Sequence, residues 1–323
     1  MKPDITFGRS ATLATLLGLL VCSGCQHYEV AVTIEPDGSG QRRVALIDDG
    51  NWQEQNSPTF SELRQLFCVT AEEGWQPLAE MPGRAKSDSQ QTEVGFWRDA
   101  RVSDLSNWYE RSGDIQIRGT LAAGPYEKVR FRNSVAVEMG EDPHGRTYTY
   151  RESFTWTGLE QVVVDFVADH FRATMADAYP FLGGEELAEL RGLMTGHLSL
   201  GWFALAVADQ LEENAQPIVQ SVAARAAAIV RRARPNADLR RVRPLVEHEV
   251  LLQGDEGDAF LEENLPGFFA VGFTEIQLSV KLPGLVTETN GERGDGGVVS
   301  WKIDVFDAAT LPIQLYARSH LVE

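Results

Sequence analysis

The sequence predicts an α+β fold: an antiparallel β-rich domain built from N- and C-terminal parts, interrupted by a helical insertion. Three observations predict it. Apolar and polar residues alternate in steps of two from Tyr28 to Ile47 and again from Ile115 to Trp156, the period of a half-buried strand. From Thr157 the apolar residues recur in steps of three and four, the period of an amphipathic helix. After Leu265 the alternation returns. The boundaries that follow are a targeting segment at 1–24, a first β-rich part at 25–156, a helical insertion at 157–265 and a second β-rich part at 266–323. A chain of 323 residues that is 43% apolar has the material for such a core, so disorder is excluded for most of it.

In the first part, Tyr28 to Ile34 and Gln41 to Ile47 flank Pro36, Asp37, Gly38, Ser39 and Gly40, a hairpin in which Asp37-Gly38 supplies the positive φ of the turn. Leu63, Leu66 and Phe67 predict a helix within Phe60 to Trp75. A strand follows over Thr92 to Val102 and a short helical element over Leu105 to Tyr109. Ile115 to Trp156, broken at Gly124-Pro125 and at Asp142 to Gly145, reads as an antiparallel meander.

The insertion opens on Thr157 to Glu160, the spacing of a capping box, followed by Val163, Val167, Phe171 and Met175 in steps of four. Gly183-Gly184 interrupts the helix and Glu185 to Gln210 resumes it. Pro217 starts another, with Val219, Val222, Ala226 and Ile229 on one face, and Pro235 and Pro244 punctuate the rest. Leu198 to Ala208 is apolar all round but about eleven residues long, against the roughly twenty a membrane span needs, so it is a buried helix. In the second part the strands are Glu275 to Leu282, Val298 to Phe306 and Ile313 to Ser319.

The first 25 residues combine Lys2 and Arg9, an apolar run from Ala11 to Cys22, and small residues before Cys25, the pattern of a secretory signal. Val21 to Cys25 resembles the lipobox of bacterial lipoproteins, with Cys22 where that family prefers Leu. The resemblance implies cleavage before Cys25 and acylation of Cys25 by diacylglyceryl and palmitate-type chains, with ordinary secretion and an uncleaved anchor as the alternatives. It implies an extracytoplasmic, membrane-anchored protein. Gln26, in place of the Asp that retains some lipoproteins in the inner membrane, favours the outer membrane. The hairpin with Arg43 near the lipobox, together with Leu282-Pro283-Gly284, Asn290-Gly291 and Val299-Ser300-Trp301, resembles LppM-like envelope lipoproteins at the two ends of the chain. That implies a membrane-anchored β-rich domain without established enzyme chemistry.

Forty-seven acidic against 29 basic residues leave a net charge of −18, a surface that repels phosphate backbones, so nucleic acid is excluded as the general partner. Of the three cysteines Cys22 falls in the targeting segment and Cys25 is the expected acylation site, so no disulfide framework or four-thiolate zinc site is expected, and Cys68 reads as a small core residue. No G-x-S-x-G, S-x-x-K, H-E-x-x-H, P-loop or G-x-G-x-x-G occurs; no catalytic, cofactor or metal residue is assigned, and no enzyme or cofactor is expected. Asp165, Asp169 and His170 share a spacing that a divalent cation could use but read as a solvated helix face. Asp255 to Asp258 lacks the spacing of a calcium loop, and Asp258 reads as a helix cap. Phe268 and Phe269 read as covering the sheet core in preference to an exposed lip.

One segment runs against the composition. Arg225, Arg231, Arg232, Arg234, Arg240, Arg241 and Arg243 stand with a single acid, Asp238, a local charge of +6. Pairing with carboxylates of the same domain is the plain expectation. Anionic lipid headgroups and an acidic envelope protein are the other partners considered. The functional expectation is a lipid-anchored envelope lipoprotein with a structural or interaction role. The alternatives are a carrier or sensor of an apolar ligand, in a cavity between the sheet and the helices around Trp202 and Phe203, and an unrecognised hydrolase.

Overall fold

The computed structural model describes residues 26–48, 60–82, 94–102, 111–121, 125–198, 200–208, 210–251, 265–272 and 274–322. The chain forms two compact units: a β unit of Gly24–Thr157 with Asn264–Glu323, and a helical unit of Gly158–Glu263. The α+β architecture with a helical insertion is the one the periodicity predicts.

In the β unit, β1 (Gln26–Ile34) and β2 (Gly40–Asp48) form the expected hairpin, closed where Gly38 takes φ 83°. Helix α1 (Phe60–Leu66) is shorter than the stretch to Trp75. It ends because Cys68 adopts φ 51°, a left-handed residue that lets the Val69 N–H bond back to the Arg64 carbonyl. Strands β3 (Gln76–Pro77), β4 (Val94–Val102), β5 (Arg111–Arg118), β6 (Arg130–Asp142) and β7 (Gly145–Thr157) follow, the last three as the antiparallel meander. After the insertion come α8 (Phe268–Gly272), numbered after the helices of the insertion, then β8 (Glu275–Lys281), β9 (Leu285–Thr289), β10 (Glu292–Arg293), β11 (Val298–Asp304) and β12 (Ile313–Leu321). The element predicted at Leu105 to Tyr109 lies outside the described residues.

These strands make a seven-stranded sheet, β10-β11-β8-β1-β2-β4-β3, and a five-stranded sheet, β5-β6-β7-β12-β9. The two ends of the chain meet in both. Strand β1 lies between β2 and β8, pairing with β8 in parallel register, and β12 lies between β7 and β9. Tyr28, Val30, Val32 and Ile34 form the buried face of β1, and Tyr148, Tyr150, Phe154 and Trp156 that of β7.

One end of the β unit is defined by short links. His27 pairs with Glu275, so the start of β1 is level with Thr274. The Thr274 carbonyl accepts the Val305 N–H at 3.0 Å, and the Val305 carbonyl accepts Trp156 Nε1 at 2.9 Å. Phe268 packs on Trp156 with ring centroids 5.6 Å apart. The chain therefore leaves the β unit after Thr157 and re-enters it at Leu265 at the end where β1 begins.

The helical unit comprises α2 (Leu159–Ala178), α3 (Gly184–His197), α4 (Leu200–Val207), α5 (Leu211–Asn214), α6 (Gln216–Ala233) and α7 (Val242–Val250). The capping box expected at Thr157 is not formed. Thr157 ends β7, its hydroxyl donates to the Arg130 carbonyl at 3.2 Å, and Gly158 caps α2 with φ 77°. One half of such a box occurs instead at α3, where the Glu186 carboxylate accepts the Gly183 N–H at 3.0 Å. The buried stripe of α2 is Val164, Val167, Ala168, Phe171 and Met175; Val163 is only half-buried, one position off the stripe. It packs on α3 and α7, and α6 packs on both of those. Trp202, 1% exposed, and Phe203 fill this core, and Trp202 Nε1 donates to the Val250 carbonyl at 2.9 Å.

Candidate functional site

Helix α6 begins at Gln216 with Pro217 in its first turn and runs through six alanines that favour helix without adding bulk. Val219, Val222, Ala223, Ala226, Ile229 and Val230 are buried, which turns Arg225, Arg231 and Arg232 outward. The last two lie in the final turn, where the helix dipole favours cations. Arg234 is extended, as the residue before Pro235 must be, and ends the helix. The connection to α7 is pinned where the Tyr179 hydroxyl donates to the Asp238 carbonyl at 2.9 Å and the Ala237 N–H to the Arg234 carbonyl at 3.0 Å. Arg240, Arg241 and Arg243 follow at the start of α7.

All seven arginines are exposed. Among the described residues, ion pairs engage two of them: Arg232 with Glu189 of α3, and Arg240 with Asp238. Hydrogen bonds from Arg240 to the Asp238 carboxylate lower that acid to about 2, and the bond from Arg232 holds Glu189 below its ordinary value. Arg234 lies over the Phe181 ring, 4.8 Å from its centroid. The guanidinium groups of Arg225, Arg231, Arg241 and Arg243 have no hydrogen-bond or ion-pair partner among the described residues. Arg232 and Arg240 are thus paired within the helical unit as the plain expectation has it, and the acids Asp255, Glu256 and Asp258 that follow α7 in sequence lie outside the described residues.

Cys25, the other residue singled out from sequence, lies outside the described residues, as do Asp255 to Asp258. Phe268 is buried against Trp156 and Phe306, covering the sheet core as expected. Cys68 is half-buried, and burial pushes its thiol up, away from the reactive thiolate. Asp165 and Asp169 do not converge with His170 on a common point. Both hold Arg191, at 3.0 and 2.8 Å, and His170 Nδ1 lies 2.9 Å from Glu249, a buried carboxylate that also accepts the Thr174 hydroxyl. Among the described residues no group of three or more His, Cys, Asp or Glu side chains could hold a metal ion.

A second polar cluster, not singled out from sequence, lies between the two sheets of the β unit. Arg42 of β2, 4% exposed, makes five hydrogen bonds: two to Asp114 of β5, two to Glu152 and one to Tyr150, both of β7. That uses the full donor set of a guanidinium. Asn133 of β6 donates to Asp114 and Glu152 and accepts the Ile115 N–H, and the Tyr150 hydroxyl donates to Glu152. Burial raises Asp114, but the charge of Arg42 and the bonds from Arg42 and Asn133 outweigh it and hold the carboxyl below its ordinary value. Burial and then Glu152 push the Tyr150 hydroxyl well up. Every reactive atom here is engaged, so the cluster clamps the sheets together and offers no free nucleophile or base.

The β unit also carries an open groove of about 1130 Å³, lined by charged Glu29, Arg43 and Lys302 and by apolar Leu278, Ile303 and Leu315 among others. The groove is open and mixed in lining, not the enclosed apolar cavity of a hydrophobic carrier.

No protein-family model matches the sequence, and no curated protein matches it. Among solved structures, the NMR structure of the folded domain of LppM from Mycobacterium tuberculosis matches at 11% identity over 93% of this chain and 92% of that one, with a TM-score of 0.27. An overlap that loose carries no argument from that protein to this one.

Proposed function

We propose that this chain is a lipid-anchored, extracytoplasmic protein of a bacterial envelope with an interaction role, tethered by acyl chains on Cys25. The observation that carries an interaction role is the arginine surface, where four guanidinium groups project without a partner among the described residues from a protein of net charge −18. The lipobox-like run Val21 to Cys25 supports the tether, and Gln26 after it supports the outer membrane. Among the described residues no helix is long and apolar enough to cross a membrane.

The test is fractionation of the envelope. Each buried methylene contributes about 0.8 kcal/mol, so two or three chains make release negligible. Wild-type protein is expected to sediment with membranes and to resist extraction by high salt. A wild-type chain that high salt releases from the membranes contradicts the tether.

A further inference from the structure

Resting on the lipid-anchor proposal, we infer that the surface formed by the end of α6, residues 234–241 and the start of α7 docks on the anionic phosphate headgroups of the membrane that holds the tether.

Four properties of the surface point to phosphate on a membrane. The first is charge: a local +6 within a chain of −18 leaves the rest of the protein repelled by an anionic surface and this face drawn to it, which orients the protein as well as binding it. The second is residue type. All seven cations are arginine and none is lysine, and the guanidinium fork meets two phosphate oxygens at once where an ammonium meets one. The third is the apolar content interleaved with the charge: Pro235 and Pro244 are exposed and Phe181 and Leu239 half-buried, which suits the boundary of headgroup and acyl chain.

The fourth is position in the chain. Cys25 directly precedes Gln26, the first residue of β1, so no linker separates the proposed lipid from the sheet. The connections to the helical unit leave the β unit at that same end. A tether attached there raises the effective concentration of headgroups for the covalently joined helical unit, whereas a soluble acidic protein would have no such advantage. Screening confines the attraction to within about 8 Å of the surface at physiological salt, so the contact is direct.

The test uses the mature chain, starting at position 25 without the signal segment and carrying Cys25→Ser, which removes the lipid and leaves the arginines. It is floated with vesicles of phosphatidylglycerol and phosphatidylcholine, and with phosphatidylcholine alone. Binding is expected only to the anionic vesicles and is expected to fall steeply as salt is raised. Each arginine at such a surface is worth roughly fivefold in partitioning, so Arg231→Gln, Arg241→Gln and Arg243→Gln together should weaken binding by about 100-fold. These three side chains are exposed and have no guanidinium partner among the described residues, so their loss should leave the circular dichroism spectrum unchanged. A charge-matched control, Lys128→Gln, Arg132→Gln and Lys281→Gln on exposed sites of the β unit, should bind as the parent does.

Three results would overturn the inference: no flotation of the Cys25→Ser chain with anionic vesicles, equal loss in the patch and control variants, or capture by polyglutamate without flotation, which would assign the surface to an acidic protein. The two proposals fail separately. A lipidated wild-type chain whose Cys25→Ser form ignores anionic vesicles keeps the anchor and loses the docking surface. A wild-type chain without lipid on Cys25 loses the anchor whatever the vesicles show.

Discussion

Arg42→Met is expected to destabilise the β unit by about 3–5 kcal/mol, the cost of leaving buried charge without its partner. Methionine fills the volume, but Asp114 and Glu152 lose the guanidinium that takes five hydrogen bonds to them and to Tyr150. The cost comes from the unpaired carboxylates more than from the lost bonds, so adding Asp114→Asn and Glu152→Gln to Arg42→Met should recover part of it. Urea unfolding of the three proteins measures this, and an Arg42→Met midpoint within error of the wild type would show that the network contributes nothing.

The same network predicts a pH dependence. Asp114 is held below its unfolded value of about 3.9, so its contribution is fully present above that pH. It is lost as the pH falls through the lower, folded value. Wild-type stability should therefore drop below about pH 4 more steeply than that of Asp114→Asn.

Trp202→Ala is the second large effect, about 3–5 kcal/mol in the helical unit. Helix α4 has eight residues, too few to be stable alone, and Trp202 ties it to the end of α7 through the Val250 carbonyl. Alanine leaves a cavity and strands that carbonyl; Trp202→Phe keeps most of the volume and should cost clearly less. Hydrogen exchange over residues 200–250 is the readout. Protection unchanged in Trp202→Ala would mean the core closes around the loss and that Trp202 does not hold α4.

The architecture was legible because hydrophobic period is a local signal: the change from steps of two to steps of three and four at Thr157, and back after Leu265, is visible without knowing which strands pair. The parallel pairing of β1 with β8 is not local, since it joins residues some 250 positions apart. Nor was the end of α1, which depends on Cys68 taking a left-handed conformation that nothing in its side chain favours. Thr157 misled as a cap because the same hydroxyl serves the last rung of β7.

The arginine surface was found as a cluster in sequence, but its exposure was not, because exposure is a property of packing. The Arg42 network was missed although a signal existed. Arg42 shares inward parity with Val44 and Leu46, Asn133 with Phe131 and Val135, and Glu152 with Tyr150 and Phe154. Polar residues at three inward positions on three strands must satisfy one another, and parity alone would have gathered them. Asp114, by contrast, sits where the β5–β6 register shifts, and parity does not place it.

The account rests on a protein held to a membrane by its first mature residue. Mass spectrometry of the N-terminal peptide of the mature chain, taken from the native envelope, tests this most directly. The predicted result is a peptide beginning at Cys25 whose mass carries a thioether-linked diacylglycerol. A mature chain that begins at another residue, or at an unmodified Cys25, would contradict it.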